Sequence, residues 1–400
     1  MTRRLLFLFF LFLPMLSSQA QRKEIAQAKS FVKSRNNLPQ AEEMMRNLLK
    51  DSINREKEKI WLMLFDAIKG QYEQGNEQLY LKQQYDTAQL FNTARKMFTV
   101  LEEFDSIATR PDKKGRINLK YRRKHSEFLN VYRPNIYNGG MFFVKKKDYA
   151  KAFDFFSTYI DCKDQPLFSN YNYGQNDHRL PRAAYMSVYC GFKLKDFNKT
   201  MKYSELAKTD TSRLNYLYQY FSEMYSQEKD TGNYLATISE GFARFPKSMF
   251  FFPRIFDYYF NKGDISHSLE ICEKALAADS TNAVFLYAKS TVMFALGKYD
   301  ECIKICDYLI EKNNTMADAY LTAGLAYYNQ AVKLGQNTLL ARKEQNRLKH
   351  LYKSALPYIQ KYRELVPDGK NKWGLPLYTI YLNLNMGKEF DEIDKLLKEK

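Results

Sequence analysis

The chain has 400 residues, of which glycine and proline together supply only 27, a shortage of turn residues that argues against a sandwich or barrel. Hydrophobic residues make up 45%, aromatic ones 16% and charged ones 27%, which excludes a disordered tail and a polytopic membrane protein. The composition predicts a helix-rich body, and the formal charge of +17 points to anionic neighbours without naming them.

Arg3 and Arg4 precede an apolar run from Leu5 to Leu16, followed by Ser17, Ser18, Gln19 and Ala20. This pattern predicts a secretory signal peptide, residues 1–20, cut after Ala20. The run is too short for a bilayer span and has no cysteine at the cut, so the expectation is a periplasmic mature chain without a lipid anchor or transmembrane segment. Five cysteines remain, Cys162, Cys190, Cys272, Cys302 and Cys306, an odd number that cannot all pair internally. Cys302 and Cys306 share one helix face, where adjacent turns hold their Cα–Cβ bonds nearly parallel and disfavour a mutual disulfide.

A spacing of 34 residues recurs along the chain. Tyr218, Phe252, Leu286 and Tyr320 form one ladder, Ser222, Phe256, Ser290 and Gly324 a second, and Tyr225, Tyr259, Met293 and Tyr327 a third. Upstream, GGMFFVKKKDYAKAFDFF sets Gly140, Phe143, Tyr149, Ala152 and Phe156 at intervals that suit two close-packed helices. These residues resemble the tetratricopeptide repeat, with its W-x2-L-G-x2-Y, A-x3-F and P pattern. The resemblance implies an all-α solenoid of stacked antiparallel helix pairs, about nine of them, forming a superhelix. Lys289, Tyr234 and Pro253 depart from the pattern, and Pro253 fits the first turn of a late-starting helix.

The expected organisation is degenerate helical repeats over 21–115, a basic helix plus a repeat unit over 116–165, and a surface loop over 166–181. Regular 34-residue units follow over 182–331, then repeat-like units with a helical insertion over 332–400. In the N-terminal third, Ala41 and Met45 suggest one helix, Trp61 and Leu64 a second, and Tyr85, Ala88 and Met97 a third.

No catalytic signature is present: no GxSxG, HExxH, Walker loop or GxGxxG after a strand, and the four histidines lack ligand spacing. No catalytic residue, metal site or cofactor is expected. The resemblance directs attention instead to the inner groove lined by the first helix of each pair. There it selects Tyr137, Met141, Arg182, Tyr185, Tyr189, Phe192, Tyr216 and Gln219 as contacts for a protein or peptide partner. Tyrosine suits such a surface because it combines a large ring with a polar tip.

The second signal is charge. Between Arg110 and Lys147 twelve basic residues face two acidic ones, a net of +10 in 38 residues. Tyr121, His125, Phe128 and Tyr132 recur at helical spacing among them, predicting an amphipathic helix that Pro134 ends or kinks. Lys120, Arg122, Arg123, Lys124, Lys145, Lys146 and Lys147 are the candidate anion-binding residues, for an anionic lipid, lipopolysaccharide or glycan surface. A solvated, non-functional face is the alternative. Nucleic acid is not expected, since base-reading motifs are missing.

Overall fold

The computed structural model describes residues 21–336 and 338–398; the expected signal peptide lies outside them. Among the described residues there are helices and turns but no strand. The chain divides into two compact units, up to Asp230 and from Thr231.

In the first unit, α1 spans 21–34, followed by α2 (Leu38–Leu48), α3 (Ser52–Arg55), α4 (Glu58–Tyr80), α5 (Thr87–Ala108), α6 (Arg122–Lys145) and α7 (Tyr149–Asp161). After them come α8 (Tyr173–Asn176), α9 (Leu180–Lys193), α10 (Phe197–Met201), α11 (Ser204–Lys208) and α12 (Leu214–Gln227). The second unit holds α13 (Thr231–Arg244), α14 (Phe251–Asn261), α15 (Ile265–Ala278), α16 (Ala283–Ala295) and α17 (Tyr299–Lys312). It continues with α18 (Ala317–Gln336), α19 (Thr338–Lys343), α20 (Gln345–Leu365), α21 (Lys370–Asn383) and α22 (Gly387–Lys398).

Within each unit the main packing runs between successive long helices: α4 on α5, α5 on α6, α6 on α7 and α7 on α9, then α14 on α15 and onward to α21 on α22. Helix pairs stacked this way, with first helices also touching across repeats (α9 with α12, α16 with α18), make an α-solenoid. Of the N-terminal residues expected on helices, Ala41 and Met45 are buried on α2, Trp61 and Leu64 on α4, and Ala88 and Met97 lie on α5, while Tyr85 precedes α5, which starts at Thr87.

Five of the turns between successive helices repeat one construction. Lys147, Lys195, Lys229, Gly263 and Gly297 each adopt φ between 55° and 75°. In each case the next residue's N–H returns to the carbonyl five back: Asp148 to Phe143, Asp196 to Gly191, Asp230 to Tyr225, Asp264 to Tyr259, Lys298 to Met293. Asp148, Asp196 and Asp264 then cap the following helix by accepting from Lys151, Lys199 and His267 backbone N–H groups. Pro253 lies in the first turn of α14, where no intrahelical donor is required.

The helices cross at small residues. A Cβ on Gly140 would meet the Phe156 ring at 2.7 Å, and one on Gly324 would meet Ile359 Cγ1 at 2.8 Å. Ser222 and Ser290 are fully buried at equivalent positions. Between Tyr328 and Ala355 the extra residues are largely helical, and α18 and α20 reach 20 and 21 residues. All five cysteines are buried free thiols, including Cys272 and Cys306.

Two expectations are corrected. Pro134 does not end its helix: α6 runs on to Lys145. Pro134 is exposed on the solvent side of α6. The 166–181 segment is no plain surface loop, because Leu167, Phe168 and Tyr173 are buried in the first unit's core. A short 3₁₀ turn over Pro166–Tyr171 and α8 carry them inward.

The tightest crossing is α9 on α10, where a Cβ on Gly191 would strike the backbone at Thr200 and lie 2.7 Å from Lys199 C. Backbone cannot rotate aside as a ring can, so Gly191→Ala is expected to destabilise by about 2–3 kcal/mol in urea denaturation. Gly174→Ala, with nothing within 4 Å, is the control and should leave the midpoint unchanged.

Candidate aromatic recognition surface

The α9 residues Arg182, Tyr185, Tyr189 and Phe192 follow helical spacing and share one face. Ala183, Ala184, Ser187 and Gly191 are buried on the other. Tyr220 of α12 is the centre of the cluster. Its ring stacks on Phe192 at 4.5 Å and lies 6.1 Å from Tyr189 and 6.4 Å from Tyr185, and its hydroxyl is 3.5 Å from that of Tyr185. Tyr149, from the start of α7, meets Tyr189 edge-on at 5.9 Å.

Two guanidinium groups flank Tyr185, Arg182 and Arg213, each 5.5 Å from the ring centre. Arg213 is also paired with Asp210 at 2.9 Å, whereas Arg182 Nη1 is enclosed without a hydrogen-bond acceptor among the described residues. Tyr216 is 54% exposed on the same helix as Tyr220, and Gln219 donates to Asn215 Oδ1 at 2.9 Å. Burial, then the neighbouring Tyr185 hydroxyl, pushes the Tyr220 phenol well up, and burial, then Tyr149, raises that of Tyr189. Both rings therefore stay neutral, presenting π faces and hydroxyls for contact.

Six of the eight residues read as groove contacts lie on α9 and α12. Tyr137 and Met141 do not join them: Tyr137 packs against Phe156 at 5.8 Å and Tyr159 at 5.5 Å, inside the α6–α7 crossing, and Met141 packs on the same core. The sequence reading missed Tyr220, Arg213 and Tyr149. The available signal was Tyr220 lying 35 residues after Tyr185, one beyond the period.

The basic stretch is not one face. Arg122 turns inward and grips buried Asp105, with Nη2 at 2.7 Å from Oδ2. Arg133 is buried between the Tyr159 and Tyr173 rings, each 3.8 Å away, and pairs with Asp177 at 2.6 Å. Tyr159 donates to the same Asp177 oxygen and Tyr173 to Asn130, so this network pins the 166–181 segment to α6 and α7. Lys120, Arg123, Lys124, Lys145, Lys146 and Lys147 are exposed, and Arg123 pairs with Glu127 at 2.9 Å. Lys120 to Lys124 stand at one end of α6 and Lys145 to Lys147 at the other. The 24 residues between Arg122 and Lys145 span about 36 Å, several screening lengths.

One half-buried carboxyl, that of Glu102, lies apart from this surface. Glu102 Oε1 is 3.9 Å from Cys162 Sγ, which donates to Thr158 O at 3.1 Å. Burial, then the Asp161 carboxylate, pushes the Glu102 carboxyl up to about 8. Among the described residues no cluster of three metal-ligating side chains occurs, and no helix is long and apolar enough to cross a membrane.

No protein-family model matches the sequence. A 112-residue stretch is 23% identical to Hsp70-Hsp90 organizing protein 2 of Arabidopsis thaliana, covering 28% of this chain and 18% of that protein. Among solved structures, the chain is similar to the C-terminal part of a TPR repeat-containing protein from Cytophaga hutchinsonii. That match has 16% identity, 65% of this chain, 93% of that one and a TM-score of 0.42. It is also similar to a tetratricopeptide repeat protein from Parabacteroides merdae, with 14% identity, 67% and 98% coverage and a TM-score of 0.34. A third is the TPR2AB domain of yeast Sti1 in complex with pHSP90, with 15% identity, 74% and 97% coverage and a TM-score of 0.28.

Native Glu102 holds a proton that the unfolded chain, with its carboxyl near 4.5, has already released. Raising the pH from about 4.5 to 8 therefore weakens the fold at this residue. Glu102→Gln keeps the shape without the charge, and its melting temperature should exceed wild type by more at pH 8 than at pH 5. Equal differences at both pH values would mean that Glu102 ionises normally.

The helix pairs, their 34-residue spacing and the repeated left-handed turns make the chain an α-solenoid of stacked helix pairs, a fold similar to that of tetratricopeptide repeat proteins.

Proposed function

We propose that this chain is an exported, non-enzymatic scaffold that holds a peptide segment or protein partner against the aromatic surface of α9 and α12. The observation that carries the reading is the grouping of Tyr185, Tyr189, Phe192 and Tyr220 beneath exposed Tyr216, beside Arg182 and Arg213. Rings already packed on one another lose little freedom when a partner lands on them, and phenol tips supply orientation. The Sti1 domain, with its pHSP90 complex, illustrates a repeat array of this kind holding a partner. The apolar Leu5–Leu16 run behind Arg3 and Arg4 supports a periplasmic site of action.

A photo-crosslinking residue at Tyr216 tests this reading in the native cell envelope, with the same residue at Leu339, an exposed position on the second unit, as the control. The expected result is a discrete adduct from Tyr216 only, reduced at least about tenfold by Tyr189→Ala, since buried interface aromatics contribute about 2 kcal/mol or more. Adducts from both positions, or none from Tyr216, would remove the aromatic surface as the site.

A further inference from the structure

Residues 111–120 are ten consecutive exposed positions between α5 and α6. Asp112 braces the tip by accepting from the Lys114 and Arg116 N–H groups at 2.8 and 2.9 Å and from Arg116 Nε at 2.9 Å. This leaves Lys113 and Lys114 pointing out with no carboxylate partner among the described residues. Ile117 and Leu119, close together in the same exposed segment outside any helix, are 59% and 51% exposed. Lys120 and Lys124 follow, exposed and free of ion pairs among the described residues.

We infer that the 111–121 loop is a membrane-contacting element that seats Ile117 and Leu119 in an anionic phospholipid bilayer, with Lys113, Lys114, Lys120 and Lys124 on the headgroups. Aliphatic side chains ringed by cations suit the headgroup–acyl boundary, where the apolar groups leave water and each lysine meets phosphate. An acidic protein would satisfy the lysines but would leave two protruding aliphatic groups needing a pocket of their own. The inference moves the functional charge from the α6 face to the loop before it. Lys145, Lys146 and Lys147, a helix length away, take no part.

A second cationic segment provides the control. Residues 330–353 hold six basic side chains against Glu344 alone, so this stretch and 110–147 together carry the whole net charge of residues 21–400. Lys343 and Lys349 are exposed there. Any cationic surface adsorbs weakly to anionic vesicles, but only the loop is expected to insert.

The test is co-sedimentation of the mature chain with phosphatidylcholine vesicles, with or without phosphatidylglycerol. Binding is expected only with phosphatidylglycerol, and Lys113→Glu/Lys114→Glu should weaken it at least about 30-fold at low salt. Ile117→Ser/Leu119→Ser should keep low-salt adsorption and abolish the part that survives moderate salt. A polarity-sensitive dye on Ile117→Cys, selective because the native thiols are buried, should shift to the blue on binding. Tyr216→Ala should bind like wild type, which separates this inference from the aromatic scaffold. The inference is overturned if wild type does not bind, if the loop variants bind like wild type, or if Lys343→Glu/Lys349→Glu causes the loss instead. It is also overturned if inorganic polyphosphate binds as tightly and is indifferent to Ile117 and Leu119.

Discussion

A left-handed residue at the turn between successive helices, repeated at Lys147, Lys195, Lys229, Gly263 and Gly297, is the constraint on which most of the helix packing depends. At Gly263 and Gly297 this conformation carries no steric penalty, but Lys147, Lys195 and Lys229 adopt it with a Cβ, at about 1–2 kcal/mol each. The returning hydrogen bond and the aspartate cap that follows offset the penalty by closing the first helix and starting the second within three residues. So tight a turn fixes which residues face each other at the crossing: after Gly297 it brings buried Ser290 of α16 against Cys306 of α17.

The fold was legible because this construction leaves a periodic trace. Gly263-Asp264 and Gly297-Lys298 stand at the period, and the buried small residues keep the same ruler. The lysines at 147, 195 and 229 are the same turn with the glycine signal erased, so they read as charge instead. The recognition surface was legible only in part. Contacts between first helices of adjacent repeats join residues 35 apart, Tyr185 with Tyr220 and, in the second unit, Tyr287 with Thr322, so a search at equal register selects Tyr216 and passes over Tyr220. Arg133 shows the other limit. A sequence gives its charge but not its burial, and Asp177, its partner, is 44 residues away in a segment without periodicity.

The first unit thus carries two surfaces of different chemistry. On α9 and α12 the rings are pre-packed and neutral, and selectivity there comes from shape and hydroxyl placement. Along 111–121 the side chains are long, cationic and unconstrained, which suits an extended target more than a fitted one. The buried Arg133–Asp177 pair belongs to neither. It sits in a low-dielectric core where losing one partner would strand the other, and its role is to hold the connector in place.

Packing of each long helix mainly on its successor has a kinetic consequence. Contacts between neighbours in sequence close short loops, so contact order is low and each pair can form soon after its residues become available. A chain built this way can acquire structure progressively from its first helices, and its terminal pairs, supported on one side only, should open before the interior ones. Lengthening one repeat, as the connector before α9 and the extension of α18 and α20 do, leaves the pairs on either side with their own contacts intact.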